Sequence, residues 1–176
     1  MPRIVIDTET TGLPSSQYAA PISIGAVLVD DEGDEVDRFY TVMLPKVIHT
    51  AEYKEAEKIH GIPLEDLLAP GVPTSAEAVA LLRAWWEKHG RPMLHAFNVS
   101  FDELMINRAG WEPRGYWGDC IQQRASLVMG VGRASLNAAV RHFGVRGRNP
   151  DVKHDALEDA AIAARVAKAC GLWRPR

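Results

Sequence analysis

Two cysteines are all that this chain of 176 residues carries. Cys120 and Cys170 stand far apart and outside any C-x-x-C spacing, which argues against a disulfide framework or a cysteine zinc site and for a reduced, cytoplasmic setting. No apolar run approaches the ~18 residues of a spanning helix, so no membrane contact is expected. The opening MPRIVIDTE lacks a basic region followed by an apolar stretch, and a cleaved leader is not expected. Positive charge is not in excess either: 20 Lys and Arg against 23 Asp and Glu leave a net charge of −3. A protein that coats duplex by bulk electrostatics would be basic, so any contact with nucleic acid must be local, with bound cations supplying positive charge. There is no internal repeat and no low-complexity linker. What is present, 47% hydrophobic and 24% charged residues, is the balance of a globular chain, and a single domain over 1–176 is expected.

Ile4 to Ile6 is a short, continuously apolar run that reads as a central strand buried on both faces. Ile22 to Val29 and Val36 to Leu44 read as two more strands, joined by the acidic turn Asp30 to Asp34 as an antiparallel hairpin. Helical patterns follow over Ala51 to Ile59 and Thr74 to His89, with a short turn at Pro63 to Leu68 between them. Thr74 and Glu77 make a capping box for the second helix. Pro92 to Phe97 reads as a fourth strand. Helices are then expected over Val99 to Ala109, Cys120 to Met129, Ser135 to His142 and Asp155 to Cys170. This order predicts α/β layers around a mixed sheet.

The first strand ends in IDTETTGLP, and Asp7 and Glu9, two positions apart, point the same way. Burying two like charges is costly unless a cation sits between them, and hard carboxylate oxygens suit Mg²⁺ or Mn²⁺. Taken alone, the pair also fits a polar turn. On the helix NVSFDELMINRAG, Asp102 shares the apolar stripe of Met105, Ile106 and Ala109, whereas Glu103 falls with Asn107. Satisfying first-turn N–H groups would explain Asp102 as well. On the last helix Asp159 lies with Ile162, Ala163, Val166 and Cys170, whereas Glu158 lies with Arg165 and Lys168. His154 stands just before that helix, within reach of Asp159. The other histidines (His49, His60, His89, His95 and His142) read mostly as surface or core residues. Four inward acids from three elements, with one histidine, make chemical sense as a two-metal phosphoryl-transfer site.

The same residues carry a resemblance. D-x-E in IVIDTETTGL, N-x-x-F-D from Asn98 to Asp102 and H-x-x-x-x-D from His154 to Asp159 resemble the DEDDh group of 3′→5′ exonucleases, DnaQ-like enzymes that include the proofreading subunit of bacterial DNA polymerase III, ribonuclease T and oligoribonuclease. The resemblance spans nearly the whole chain. It implies a ribonuclease H-like three-layer fold, a mixed five-stranded sheet flanked by helices. It also implies two Mg²⁺ or Mn²⁺ ions, with Asp7, Glu9 and Asp159 on the first, Asp7 and Asp102 on the second, and His154 as general base. Glu55-Ala56 and Ile59-His60-Gly61-Ile62 are similar to a segment of the proofreading subunit whose Glu and His contact the substrate nucleotide. By the same likeness the backbone of Thr10, Thr11 and Gly12 would approach the terminal nucleotide and Leu13 would wedge against its base, with Asn98 and Phe101 beside it. Phe97 stands where many members have histidine, a position that does not bind metal.

The activity implied is metal-dependent removal of nucleoside 5′-monophosphates from the 3′ end of single-stranded nucleic acid, DNA being favoured over RNA. The partners implied are single-stranded 3′ ends, a DNA polymerase subunit and a second copy of the chain as a homodimer. The family's clamp- and polymerase-binding extensions have no counterpart, and the sequence ends soon after its last helix at WRPR, as a bare exonuclease domain would. Two rivals make different demands. A haloacid-dehalogenase-type phosphatase needs D-x-D, where Glu9 replaces the second Asp. A non-catalytic binding module would be expected to have lost an acid or the histidine, and none is lost. Trp85, Trp86 and Trp111 are candidate base-stacking platforms, with core packing expected for at least one of the adjacent pair.

Overall fold

A computed structural model describes residues 1–149 and 151–173; of the terminal WRPR only Trp173 lies within them. Four strands form one mixed sheet in the order β3-β2-β1-β4. β1 (Arg3–Thr10) is central, antiparallel to β2 (Pro21–Val29) and parallel to β4 (Met93–Ala96). β3 (Glu35–Val42) closes the hairpin expected around the acidic turn. The seven helices among the described residues are α1 (Thr50–His60), α2 (Leu64–Leu67), α3 (Ser75–Lys88), α4 (Val99–Ala109), α5 (Ile121–Met129), α6 (Leu136–Phe143) and α7 (Ala156–Ala169). Thr74 and Glu77 form the capping box of α3.

Alternation along β1 divides the core into two. Ile4 and Ile6 join Ile24, Leu82, Leu94 and Ile106 beneath α3 and α4. Val5 joins Val27, Ile121, Ala160 and Val166 beneath α5, α6 and α7. The sheet is therefore the middle of three layers. Trp86 and Trp111 are buried in the first core, ring centroids 5.2 Å apart and edge to face, while half-buried Trp85 donates to Asp37. That packing removes Trp86 and Trp111 as stacking platforms.

The sheet has four strands among the described residues, where five were expected. The fifth place, beside β4, is taken by a single parallel bridge from Leu94 to Trp117. Leu94 exchanges hydrogen bonds with Tyr116 and Gly118, at 2.7 and 2.8 Å, and the pairing goes no further. At Gly118 a Cβ would fall 2.4 Å from the His95 ring, so this segment lies over a side chain instead of continuing a flat ladder. None of the described helices is long and apolar enough to cross a membrane.

Candidate active site

β1 and β4 run parallel, and both end at the same edge of the sheet, where chain crossovers leave a crevice. Asp7 and Glu9 continue the side of Val5 and face α7. Thr8 faces the opposite layer, where its hydroxyl donates to Asp102 Oδ1 at 2.9 Å. One strand end thus reaches both helical layers. Asp102 lies in the first turn of α4 and is 2% exposed; Asp159 lies in the first turn of α7 and is 3% exposed. Both helices aim their N-termini at the crevice, the end that favours negative charge.

A glycine allows α7 to come this close. Gly25 on β2 is paired with Asp7, and a Cβ there would meet the backbone of Ala156 and Leu157 at 2.2 Å. The first turn of α7 rests on that bare backbone, which brings His154 and Asp159 over β1. His154 Nδ1 is 3.2 Å from Asp159 Oδ2, and Glu9, His154 and Asp159 offer ligand atoms that all lie within 4.8 Å of one another. Arg148 also enters from the loop before α7. Its guanidinium pairs with both oxygens of Asp159, and Nη2 lies 3.3 Å from His154 Nδ1.

These surroundings divide the acids. Burial, then the charges of Asp102, Asp159 and Glu9, hold the Asp7 carboxyl well above the usual carboxylate range, with Arg148 opposing. Burial raises Glu9 to about 7, opposed by the His154 charge and reinforced by Asp159. Burial raises Asp102 to about 8 despite the hydrogen bonds from Thr8. Burial pushes Asp159 up as well, but hydrogen bonds from His154 and Arg148 outweigh it and leave this carboxyl below its usual range. Glu9 Oε1 is buried without a hydrogen-bond partner. Converging hard oxygens, three of them reluctant to ionise unaided, fit divalent cations such as Mg²⁺ or Mn²⁺.

The acids line a cavity of about 900 Å³. Of the residues singled out in the sequence, Thr10, Gly12, Leu13, Glu55, His60, Asn98, Phe101 and His154 line it too, as does Phe97. Thr11 does not. Its buried hydroxyl accepts from Ala20 N–H at 3.0 Å and donates to Tyr18 O at 3.3 Å, fixing the loop after β1. Leu13, 74% exposed, stands at the rim. Glu55 is 73% exposed and pairs with Lys58. His60 Nδ1 accepts from Ile62 N–H at 3.0 Å, which leaves Nε2 carrying the proton, buried and without a hydrogen-bond partner among the described residues. Burial, with the charges of His154 and Lys153, lowers His60 to about 4, so it is a neutral donor. The remaining histidines have other work: His95 contacts Asp119 O, His89 contacts Asp37, His49 stacks on Tyr18 and His142 packs on Phe143.

Four contributors were missed in the sequence: Thr8, Gly25, Arg108 and Arg148. Arg108 reaches from α4 to the carbonyls of Pro14, Ser16 and Ala19, and so clamps the rim loop. Only Gly25 left a signal, as a lone glycine within the apolar PISIGAVLV, where glycine marks a close approach. The other three act through contacts across the chain.

A family model described as Exonuclease (RNase_T) matches residues 4–167. No curated protein matches the sequence. Among solved structures, the nuclease domain of 3′hExo, a DEDDh family member bound to rAMP, superimposes with a TM-score of 0.74 at 16% identity over 95% of this chain and 90% of that one. A 3′-exonuclease in 3′-end-specific recognition of the histone mRNA stem-loop gives 0.76 at 15% identity, over 95% and 80%. The zinc-bound E. coli ExoI–ssDNA complex gives 0.74 at 18%, over 97% of this chain but 40% of that one.

Proposed function

The chain belongs to the exonuclease family, in its DEDDh group, and from that premise we propose that it removes nucleoside 5′-monophosphates from the 3′ end of single-stranded nucleic acid, DNA in preference to RNA. The observation that carries this reading is the convergence of Asp7, Glu9, Asp102, Asp159 and His154 on one cavity that also holds Leu13 and His60. Asp7, Glu9 and Asp159 would hold one divalent cation, and Asp7 and Asp102 a second. When bound, such ions neutralise charge on the scissile phosphate and acidify the attacking water.

The chain's own groups would do the rest. His154 directs Nδ1 at Asp159, which leaves Nε2 to take the proton of the attacking water. His60 offers its Nε2–H to the terminal nucleotide, and its donor form persists over the neutral range. Leu13 at the rim would press on the terminal base, with Phe101 and Asn98 on the far wall. Thr10 holds the turn open by donating to Gly12 O at 2.8 Å.

RNA trimming is the second reading. Glu52 Oε2 is buried beside Gly12 without a hydrogen-bond partner, at the wall of the same cavity. An acceptor there would serve a 2′-hydroxyl, the group that separates RNA from DNA.

The deciding assay follows 5′-labelled single-stranded DNA and RNA of one sequence in Mg²⁺ and in Mn²⁺, beside EDTA and the Asp7→Ala variant. A ladder shortening from the 3′ end, absent in both controls, is expected, with DNA shortened faster. Full turnover by Asp7→Ala, or no ladder with either ion, would sink the assignment.

A further inference from the structure

The cavity shares Lys58, Ile59 and His154 with a second groove of about 600 Å³. The charges lining that groove are of one sign: Lys58, Arg141, Arg148 and Lys153, beside Asn137 and Asn149. In a chain of net charge −3, four cations without a carboxylate among the described lining residues are out of proportion to the rest of the surface. Two of the four are answered locally, Lys58 by Glu55 and Arg148 by Asp159. Arg141 and Lys153 have no ion pair among the described residues, so no carboxylate balances their charge.

The groove is also built. The loop before α7 is fastened to the end of α1 by His154 N–H donating to Ile59 O at 3.1 Å, and by Lys153 Nζ donating to Lys58 O. Gly61 has φ 70°, and a Cβ there would lie 2.8 Å from Lys153 Cγ, so the lysine stem lies against bare backbone. At Gly147 a Cβ would fall 2.7 Å from Val140 Cγ1, which fixes the same loop on α6. The cations stand on a wall held at both ends. Ile59, Val140 and Val152 give it apolar patches between the charges.

We infer that this groove carries the strand on the 5′ side of the scissile bond, Arg141 and Lys153 receiving its phosphates and the apolar patches its sugars and bases. The inference rests on the exonuclease reading, because it takes the 3′-terminal nucleotide to fill the acidic cavity. A polyanion leaving a pocket lined by six acidic residues is repelled there and gains where fixed cations replace its counterions. A positively charged groove that tracks the backbone is also how proteins follow a single strand without reading its sequence.

The test compares the full chain with Arg141→Glu/Lys153→Glu, on a labelled strand of about twelve nucleotides and on a dinucleotide too short to fill the groove. KM for the strand is expected to rise by roughly tenfold or more, and KM for the dinucleotide by less than about twofold. Loss of two phosphate contacts should flatten the slope of log K against log salt by about 1.4, read by fluorescence anisotropy in EDTA. Because Lys153 Nζ also ties the loop to Lys58 O, Arg141→Glu alone is the control: it should raise KM for the strand by a smaller factor in the same direction and melt as the parent does. Equal changes for both substrates, or an unchanged strand KM and salt slope, would overturn the inference. If the unaltered chain cleaves neither substrate, it is the exonuclease reading that fails, and anisotropy with the strand still decides the groove.

Discussion

The two sides of the site treat their carboxylates differently. On the strand side, Asp7 and Glu9 of β1, with Asp102 of α4 tied to β1 through Thr8, are each held above the usual range, burial being the leading cause. On the helix side, Asp159 is as buried in the structure, yet it lies below the usual range because Arg148 and His154 donate to it. Neither Arg148 nor His154 hydrogen-bonds Asp7, Glu9 or Asp102, although the His154 charge partly offsets the burial of nearby Glu9. A divalent ion therefore gains most from the strand side, whose acids it relieves, while the helix side arrives with its charge already balanced. On the proposed reading, affinity for metal would come from withholding compensation from three acids out of four.

The largest effect that would break this contrast comes from Asp7→Asn. Activity should fall by roughly a thousandfold or more, while the metal-free variant melts higher than the parent by about 3–6 °C. A variant that loses activity and also melts lower would mean that Asp7 supports the fold, and the strand side is not strained as described. Next in size is Gly25→Ala, which sets a methyl group against the backbone of α7 and parts the two sides. It should cost about 1–3 kcal/mol in urea denaturation together with most of the activity. Unchanged stability would show that α7 moves away freely.

Acidity sharpens the contrast further. Between the unfolded carboxylate values, near 4, and the folded values of about 7 for Glu9 and about 8 for Asp102, the native chain binds more protons than the unfolded one. Stability contributed by these groups is present below that window and lost as pH rises through it. Metal-free protein should accordingly melt lower at pH 8 than at pH 6, and Mg²⁺ should recover most of the loss at pH 8. A metal-free melting temperature that climbs over this interval would contradict the sign. Smallest of all is Glu103→Ala, next to Asp102 but with no side-chain hydrogen bond among the described residues, which should stay within about 0.5 kcal/mol and leave the rate nearly unchanged.

Much of the fold was legible because the signals are local. Apolar runs and period-3.6 stripes placed the four strands and every described helix but α2, which was expected as a turn, to within a few residues, and the acidic turn and capping box fixed two junctions outright. The inward position of Asp102 and Asp159 could be read because an acid on an apolar stripe contradicts its own helix. The fifth strand was misjudged because whether Tyr116 to Gly118 pairs once or many times depends on the His95 ring, a contact across the sheet edge. Arg148 was overlooked for a related reason: in GVRGRNP it is one more loop cation, and only the folded chain sets it against Asp159. Trp85, Trp86 and Trp111 were candidate stacking platforms, with core packing expected for at least one of the adjacent pair, and the edge-to-face contact of Trp86 with Trp111 in the core decided it.

The helix resting on Gly25 has a further property. α7 buries Ala156, Ala160, Ala161, Ala163, Ala164 and Ala167, so methyl groups are most of what separates it from its neighbours. The thickness of that interface sets how far Asp159 and His154 stand from Asp7 and Glu9. These alanines work as a spacer gauge, and their tolerance to replacement should follow the reaction more closely than the melting point. An alanine-to-valine scan of α7 would then sort variants by how far they lift the helix, with turnover fading well before cooperativity of unfolding is lost.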